Sequence, residues 1–320
     1  MSEEEVFEDN NCETLEAAFR VSNKIKRVIT GWIVGVISFA CLCFGGVPLL
    51  LFLLVIMFFG AKEYVKILEP KGFYPSFTVI FAACIAFSLI IFFHRFDLLP
   101  SLVTIATIAS FLGILFRGRQ PYIANVATTT LGLMYAGWLA THVLLLRQIG
   151  SDGGNIFGIN LNTGLFLLIF SFFIVLATDI GAYYFGRKLG KTPLAPVISP
   201  KKTVEGAIAG GLLAVLVASL GAIPFLNQYL HLSLAECLIA GILITLAAQL
   251  GDLSESLLKR DAGVKDSSDI LPGHGGFLDR ADSYIFSIPI AYYYFQNFTL
   301  GNNVLLDFIK YAKGLLHAYF

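Results

Sequence analysis

The sequence predicts an all-α, polytopic membrane protein with about nine transmembrane helices. Three observations predict it. Only 14% of the 320 residues are charged, against about 25% in a soluble domain. Mean hydropathy is +0.77. The apolar residues gather in runs near twenty long, which as helices would cross a hydrocarbon core about 30 Å thick.

The elements follow in order. Residues 1–13 hold Glu3, Glu4, Glu5, Glu8 and Asp9. An acidic start lacks the basic n-region of a cleaved secretory signal, so a disordered tail is expected. Residues 14–27 suit a short interfacial helix, with Leu15 and Phe19 one turn apart and Lys24, Lys26 and Arg27 at its end. Spans are then expected at 28–44, 47–65, 76–93, 99–116, 123–146, 163–185, 206–226, 233–258 and 279–298. Gly45-Gly46-Val47-Pro48 joins the first two, as a turn between two helices or as the break in one re-entrant unit. Gly206-x-x-x-Gly210 and Ala207-x-x-x-Gly211 open the seventh, where small residues four apart let helices approach closely. In 304–320, Leu305, Phe308, Ile309, Leu315 and Leu316 take one side and Asp307, Lys310 and His317 the other, the pattern of a helix lying on the membrane surface.

Orientation comes from the distribution of Lys and Arg. With the N-terminus in the cytoplasm, eighteen of the 22 fall on the cytoplasmic side. Arg95, Arg147, Lys310 and Lys313 are left outside, with the C-terminus. Formal net charge is zero, so nothing suggests a nucleic-acid partner. The five Cys show no C-x-x-C spacing and imply no disulfide framework. His94, His142, His231 and His317 are scattered and read as structural.

The chemistry concentrates in Gln249–Ser283, which holds seven carboxylates and four cationic side chains between apolar stretches. Such charge density beside a membrane is expensive unless something binds it. Carboxylates suit a hard cation such as Mg2+, and Lys and Arg neutralise phosphate. Asp179 lies roughly 22 Å along the sixth span and Asp252 roughly 27 Å along the eighth, at helical rise. Both therefore sit near the cytoplasmic edge, where the ninth span begins at Asp279. Gln249, Asp252, Ser256 and Lys259 share a helix face. Asp279 and Asp282 lie one turn apart at a helix N-terminus, which favours anions. Within the helices Asp252, Glu255, Asp279 and Asp282 outnumber the nearby cations, an excess that a metal would remove; an ion-pair network is the other reading. Leu271-Pro272-Gly273-His274-Gly275-Gly276 suits either a phosphate-approaching loop or an ordinary turn. His274 would contact phosphate, ligate metal, or be a plain loop residue. The loop Arg187–Glu205, with Ser199-Pro200-Lys201-Lys202-Thr203, is net positive and reads as a phosphate site or a topology determinant.

At these residues the chain resembles the phosphatidate cytidylyltransferases (CDP-diacylglycerol synthases). The resemblance rests on Ser256, Lys259-Arg260, Lys265-Asp266, Ser268, Leu271-Pro272, His274-Gly275-Gly276 and Asp279-Arg280-Ala281-Asp282. It extends upstream over Asp179, Ala182, Tyr183, Gly186, Arg187, Gly190 and Ser199 to Thr203 with Glu205 and Gly206. Ala281 departs from the larger apolar residue usual there, a difference of packing. The resemblance is strong over about residues 175–290 and general in hydropathy before that.

It implies condensation of CTP with phosphatidate to CDP-diacylglycerol and pyrophosphate, with Mg2+ and a possible second metal ion held by Asp252 and Asp279. The catalytic set it implies is Asp252, Asp279, Asp282, Lys259, Arg260, Lys265, Asp266, His274 and Arg280. The substrate-binding set is Asp179, Ser199, Lys201, Lys202, Thr203, Glu205, Ser256, Gly275 and Gly276. On this reading 1–27 is a cytoplasmic tail, 28–160 the N-terminal transmembrane helices, 161–300 the catalytic transmembrane region and 301–320 a surface helix. CTP, phosphatidate and the bilayer are the expected partners, a homodimer is compatible, and a bacterial plasma (inner) membrane is the expected location. A CTP-dependent kinase of lipid alcohols and a membrane transporter are the rival readings. The kinase would release CDP. The transporter would want polar groups on both sides of the midplane, whereas these cluster at one edge.

Overall fold

In a bilayer every backbone N–H and C=O must be bonded within the protein, so long apolar stretches become helices. The computed structural model describes residues 31–117, 119–150, 154–156, 159–264, 267–268, 270 and 275–299. The tail and interfacial helix expected before residue 28, the surface helix expected over 304–320, and Lys265, Asp266 and His274 lie outside the described residues.

The chain runs through α1 (Gly31–Phe44), α2 (Gly46–Leu68), α3 (Phe77–Phe92) and α4 (Leu99–Arg117). Next come α5 (Tyr122–Gly132) and α6 (Ala140–Arg147), which a π-helical turn joins into one rod. After a small antiparallel hairpin, β1 (Gly154–Ile156) and β2 (Ile159–Leu161), comes α7 (Thr163–Leu189). A second antiparallel hairpin, β3 (Pro193–Ala195) and β4 (Ser199–Thr203), leads into α8 (Val204–Ser219). The short α9 (Pro224–Leu230), α10 (Leu234–Asp261) and α11 (Leu278–Tyr294) complete the bundle.

Six of these helical segments are long and apolar enough to cross a membrane: Gly46–Lys71, Phe96–Phe116, Tyr122–Arg147, Thr163–Leu189, Val204–Ala222 and Leu234–Asp261. That is fewer than the nine spans expected from hydropathy. α1 and α3 are apolar but shorter, and α11 opens on the charged Asp279-Arg280-Ala281-Asp282. The expected span 206–226 also ends early. α8 stops at Ser219, a 3-10 turn follows, and Pro224 starts α9. Gly221 sits in that turn, where an added Cβ would lie 2.8 Å from Phe170 and 3.1 Å from the Cys237 thiol.

The Gly-x-x-x-Gly pattern acts as its spacing suggests. A Cβ at Gly210 would meet the Thr178 carbonyl at 2.5 Å, and one at Gly206 the Gly186 Cα at 2.8 Å. α7 and α8 therefore touch backbone to backbone. Gly251 does the same for α10 and α11, since its Cβ would fall 2.5 Å from the Asp282 carbonyl. At the end opposite the chemistry, the buried Arg147 guanidinium donates to the Leu42 carbonyl (3.1 Å), the Cys43 carbonyl (3.2 Å) and the Asn162 side chain. It thus satisfies carbonyls that α1 leaves unpaired at its end. His142 is buried, bonds the Trp138 carbonyl at 3.0 Å and packs on Trp138, Tyr292 and Tyr293, in keeping with a structural role.

Candidate active site

The first turn of α11 organises the site. Phe277 stands at its N-cap and has no side-chain oxygen to offer the free N–H groups there. Glu63, from the far end of α2, supplies it instead. Its carboxylate accepts from the Phe277 N–H (3.1 Å), the Leu278 N–H (2.8 Å) and the Ser268 hydroxyl (2.5 Å). The helix dipole favours an anion at this position, and Glu63 is only 1% exposed.

Asp279 is saturated in a similar way. It accepts from the Ser267 N–H (3.0 Å), the Ser267 hydroxyl (2.7 Å) and the Gly276 N–H (2.8 Å). Lys259 donates to Asp279 and to Glu255, both at 2.7 Å, joining α10 to α11. The two glycines are required by this geometry. Gly275 has φ +78°, and a Cβ there would lie 2.8 Å from Asp279. A Cβ on Gly276 would collide with Ser267 and with Glu63 at 2.6 Å. Gly276 thus gives its N–H to Asp279 within the chain. Expected as a phosphate cradle or a turn, this end of the loop is a clasp built on two buried carboxylates.

A second cluster is more open. Asp252 of α10 pairs with Lys202 of β4, their side chains 31% and 29% exposed. Asp179, at an exposed position about three turns before the end of α7, interacts electrostatically with both, and Asp282 with Asp252, Glu255 and Asp179. Carboxylates from three helices, far apart in sequence, therefore share one end of the bundle with a lysine from the hairpin. Glu255–Lys259–Asp279 is an ion-pair network, one of the two readings of the acidic excess, while the Asp252–Lys202 pair is partly exposed.

The basic loop expected between Arg187 and Glu205 is the β3–β4 hairpin, in which Ala195 pairs with Ser199. Thr203 caps α8, accepting from the Gly206 N–H at 3.2 Å. Glu205 accepts from the backbone N–H groups of Lys191 (3.0 Å) and Thr192 (3.1 Å) and so closes the hairpin. Both have local partners. Arg260 donates to the Ile198 and Val264 carbonyls and braces the hairpin against α10. Lys201 is exposed and Ser256 half-buried. Arg280 lines an apolar cavity. Gln249, on the helix face of Asp252, donates to the Ala207 carbonyl of α8 at 3.1 Å.

Glu63 is the residue that sequence reasoning missed. Between Lys62 and Lys66 it looks like an ordinary charged helix end. The available signal was periodicity: Gly60, Glu63 and Ile67 fall at steps of three and four, on the face that is buried, while Lys62 and Lys66 mark the exposed one.

A family model described as "Cytidylyltransferase family" matches residues 25–298. A phosphatidate cytidylyltransferase from Synechocystis sp. is 37% identical over 287 residues, covering 84% of this chain and 95% of that protein. The chloroplastic phosphatidate cytidylyltransferase 4 of Arabidopsis thaliana is 34% identical over 296 residues, 85% of this chain and 73% of that protein. The Staphylococcus saprophyticus phosphatidate cytidylyltransferase is 34% identical over 272 residues, 82% and 96% respectively.

Proposed function

The chain belongs to the cytidylyltransferase family, and from that premise we propose that it condenses CTP with phosphatidate to CDP-diacylglycerol and pyrophosphate. A phosphatidate phosphate oxygen forms a bond to the α-phosphorus of CTP, the bond from that phosphorus to the β-phosphate oxygen breaks, and pyrophosphate leaves. The attacking phosphate is already ionised near neutral pH, so no strong base is needed.

The observation that carries the reading is the Asp252–Lys202 pair. An incoming nucleotide with its cation can divide such a pair, the carboxylate turning to the cation and the ammonium to a phosphate oxygen. Lys201 beside it adds exposed positive charge. Asp279 and Lys259 hold α10 against α11 behind this surface.

Among the described residues no three His, Cys, Asp or Glu are placed to hold a metal ion alone. That fits Mg2+, which usually takes one or two protein carboxylates and completes its shell with water and substrate phosphates. Asp252 suits such an ion, with the Asp179 and Asp282 side chains beside it. Asp279, the other expected ligand, has both oxygens committed to donors of the chain. When bound, Mg2+ supplies charge neutralisation for the triphosphate and the departing pyrophosphate.

Radiolabelled CTP and phosphatidate, given to purified protein with Mg2+, should yield a labelled liponucleotide together with pyrophosphate. Release of CDP would indicate a kinase, and no conversion would remove the enzymatic reading.

Lys202→Ala should raise the KM for CTP by roughly ten- to a hundredfold, the equivalent of one charge-assisted hydrogen bond. Lys201→Ala should raise it less. Unchanged kinetics at limiting CTP in both would leave the hairpin lysines as topology determinants. For orientation, we place Glu63, Asp252 and Asp279 at the cytoplasmic end. A membrane-impermeant thiol label applied from outside should then reach Cys at Asp97 and miss Cys at Thr192, both exposed positions. The opposite pattern would invert the topology and separate the site from cytosolic CTP.

A further inference from the structure

The rod formed by α5 and α6 changes pitch over Leu133–Leu139, a π-helical stretch. Single π turns inside α-helices recur at functional sites. This one is tightly held. A Cβ on Gly132, just before it, would lie 2.7 Å from the Tyr64 ring, and one on Gly137 3.3 Å from the Cys84 thiol. Tyr135 leaves the π stretch towards the catalytic helices. It shares a packed cluster with Leu278 and Ile285 of α11 and with Ala262 at the end of α10, and its ring meets Phe286 edge-on at 6.3 Å.

Tyr135 is 5% exposed and Glu255 0%. Glu255 Oε2 takes the Lys259 ammonium at 2.7 Å. Glu255 Oε1 is buried without a hydrogen-bond partner among the described residues, and so is the Tyr135 hydroxyl. Buried polar groups are nearly always paired, so each exception calls for a reason. These two are chemically complementary: a phenol donates and an ionised carboxylate only accepts. Of the carboxylates around it, the hydroxyl interacts most strongly with Glu255, then with Asp282 and Asp252.

We propose that Tyr135 is a positioning residue of the active site, its hydroxyl donating to Glu255 Oε1 in the substrate-bound enzyme and so holding Lys259 on Asp279. The inference rests on the cytidylyltransferase reading and adds to its site a tyrosine from the rod of α5 and α6. Glu255 stands one turn from Asp252 and one turn from Lys259 on α10. An entering triphosphate draws any ammonium within reach. With Oε2 on Lys259 and Oε1 on Tyr135, Glu255 is anchored through both oxygens. Lys259 then stays between Glu255 and Asp279 instead of turning to the phosphates, and α10 keeps its setting against α11. The bond therefore bears on the rate more than on the binding of CTP.

Tyr135→Phe removes the hydroxyl oxygen alone. In substrate-free protein in detergent its melting temperature should stay level or rise, because an unpaired buried donor is lost. Its kcat should fall about tenfold or more, the scale of a hydrogen bond to a charged group, with the KM for CTP within about twofold. Tyr64→Phe is the contrast. Tyr64 is also buried, but its hydroxyl already donates to the Thr128 carbonyl at 2.8 Å. That variant should melt earlier and keep its kcat. In a Glu255→Gln background Tyr135→Phe should cost less than in the wild type, since a neutral amide is the weaker acceptor.

Wild-type kcat in Tyr135→Phe, or a loss of the same size in Tyr64→Phe, would overturn the assignment. A kcat loss in Tyr135→Phe accompanied by an earlier melt would make Tyr135 a packing residue and overturn it too. Equal cost with Glu255 and with Gln at 255 would remove Glu255 as the partner and the proposal with it. Wild-type protein that makes no liponucleotide would remove the cytidylyltransferase reading and this inference together. That result is distinct from an active wild type with an equally active Tyr135→Phe.

Discussion

Asp252→Asn is expected to abolish turnover while leaving the protein folded. Asn is nearly isosteric, and the one ion pair it breaks, with Lys202, is partly exposed. Such pairs contribute about 0–1 kcal/mol, so thermal stability should barely move. The rate should fall by more than about 10²–10³-fold, because losing a single preorganised oxyanion contact already costs that much and a misplaced cation costs more. Asp279→Asn should behave differently. Asp279 is 7% exposed and collects donors from Lys259, Ser267 and Gly276. An amide there would turn its own N–H groups towards at least one of them and loosen the first turn of α11. Activity and stability should fall together. Measuring specific activity and melting temperature for both variants across a Mg2+ titration separates the two roles. If Asp252→Asn retains turnover but melts early, Asp252 is a structural ion-pair residue and the assignment fails.

Glu63→Gln should have the second largest effect. The amide keeps one acceptor and presents two donors to the Phe277 and Leu278 N–H groups and the Ser268 hydroxyl. One or two buried donors then lose their partner, at about 1–3 kcal/mol each. Glu63→Asp keeps the charge on a shorter arm and should recover part of the loss. Because Glu63 acts by positioning Asp279 and the start of α11, the deficit should appear mainly in kcat and leave the KM for phosphatidate little changed. Full turnover per folded molecule in Glu63→Gln would reduce Glu63 to a stability determinant.

The helices were legible because lipid leaves an apolar stretch no other backbone solution. The shared depth of Asp179, Asp252 and Asp279 was legible because rise per residue converts position into height. Gly206 and Gly210 were readable as a close approach because helical spacing puts them on one stripe. What escaped were relations between elements. Glu63 reaches the Ser267–Leu278 clasp across more than two hundred residues of sequence. The β3–β4 hairpin read as a plain loop, since five residues of Ser199-Pro200-Lys201-Lys202-Thr203 carry no alternating pattern. The early end of α8 precedes Pro224, which cannot continue a helix, and Phe170 and Cys237 crowd Gly221 in the turn between.

Asp252 and Asp279 show where the boundary lies. From residue type and spacing they are equivalent: two aspartates at helix ends, one depth, one face of the membrane. Composition and periodicity were enough for membrane class and helical architecture, because each depends on the burial cost of residues taken along one chain. Which aspartate is open to exchange a cation and which is locked by donors depends on what other helices bring within 3 Å. Hydrogen bonds are short and directional, so Ser267, Gly276 and Lys259 claim Asp279, while Asp252 faces a single lysine from the hairpin.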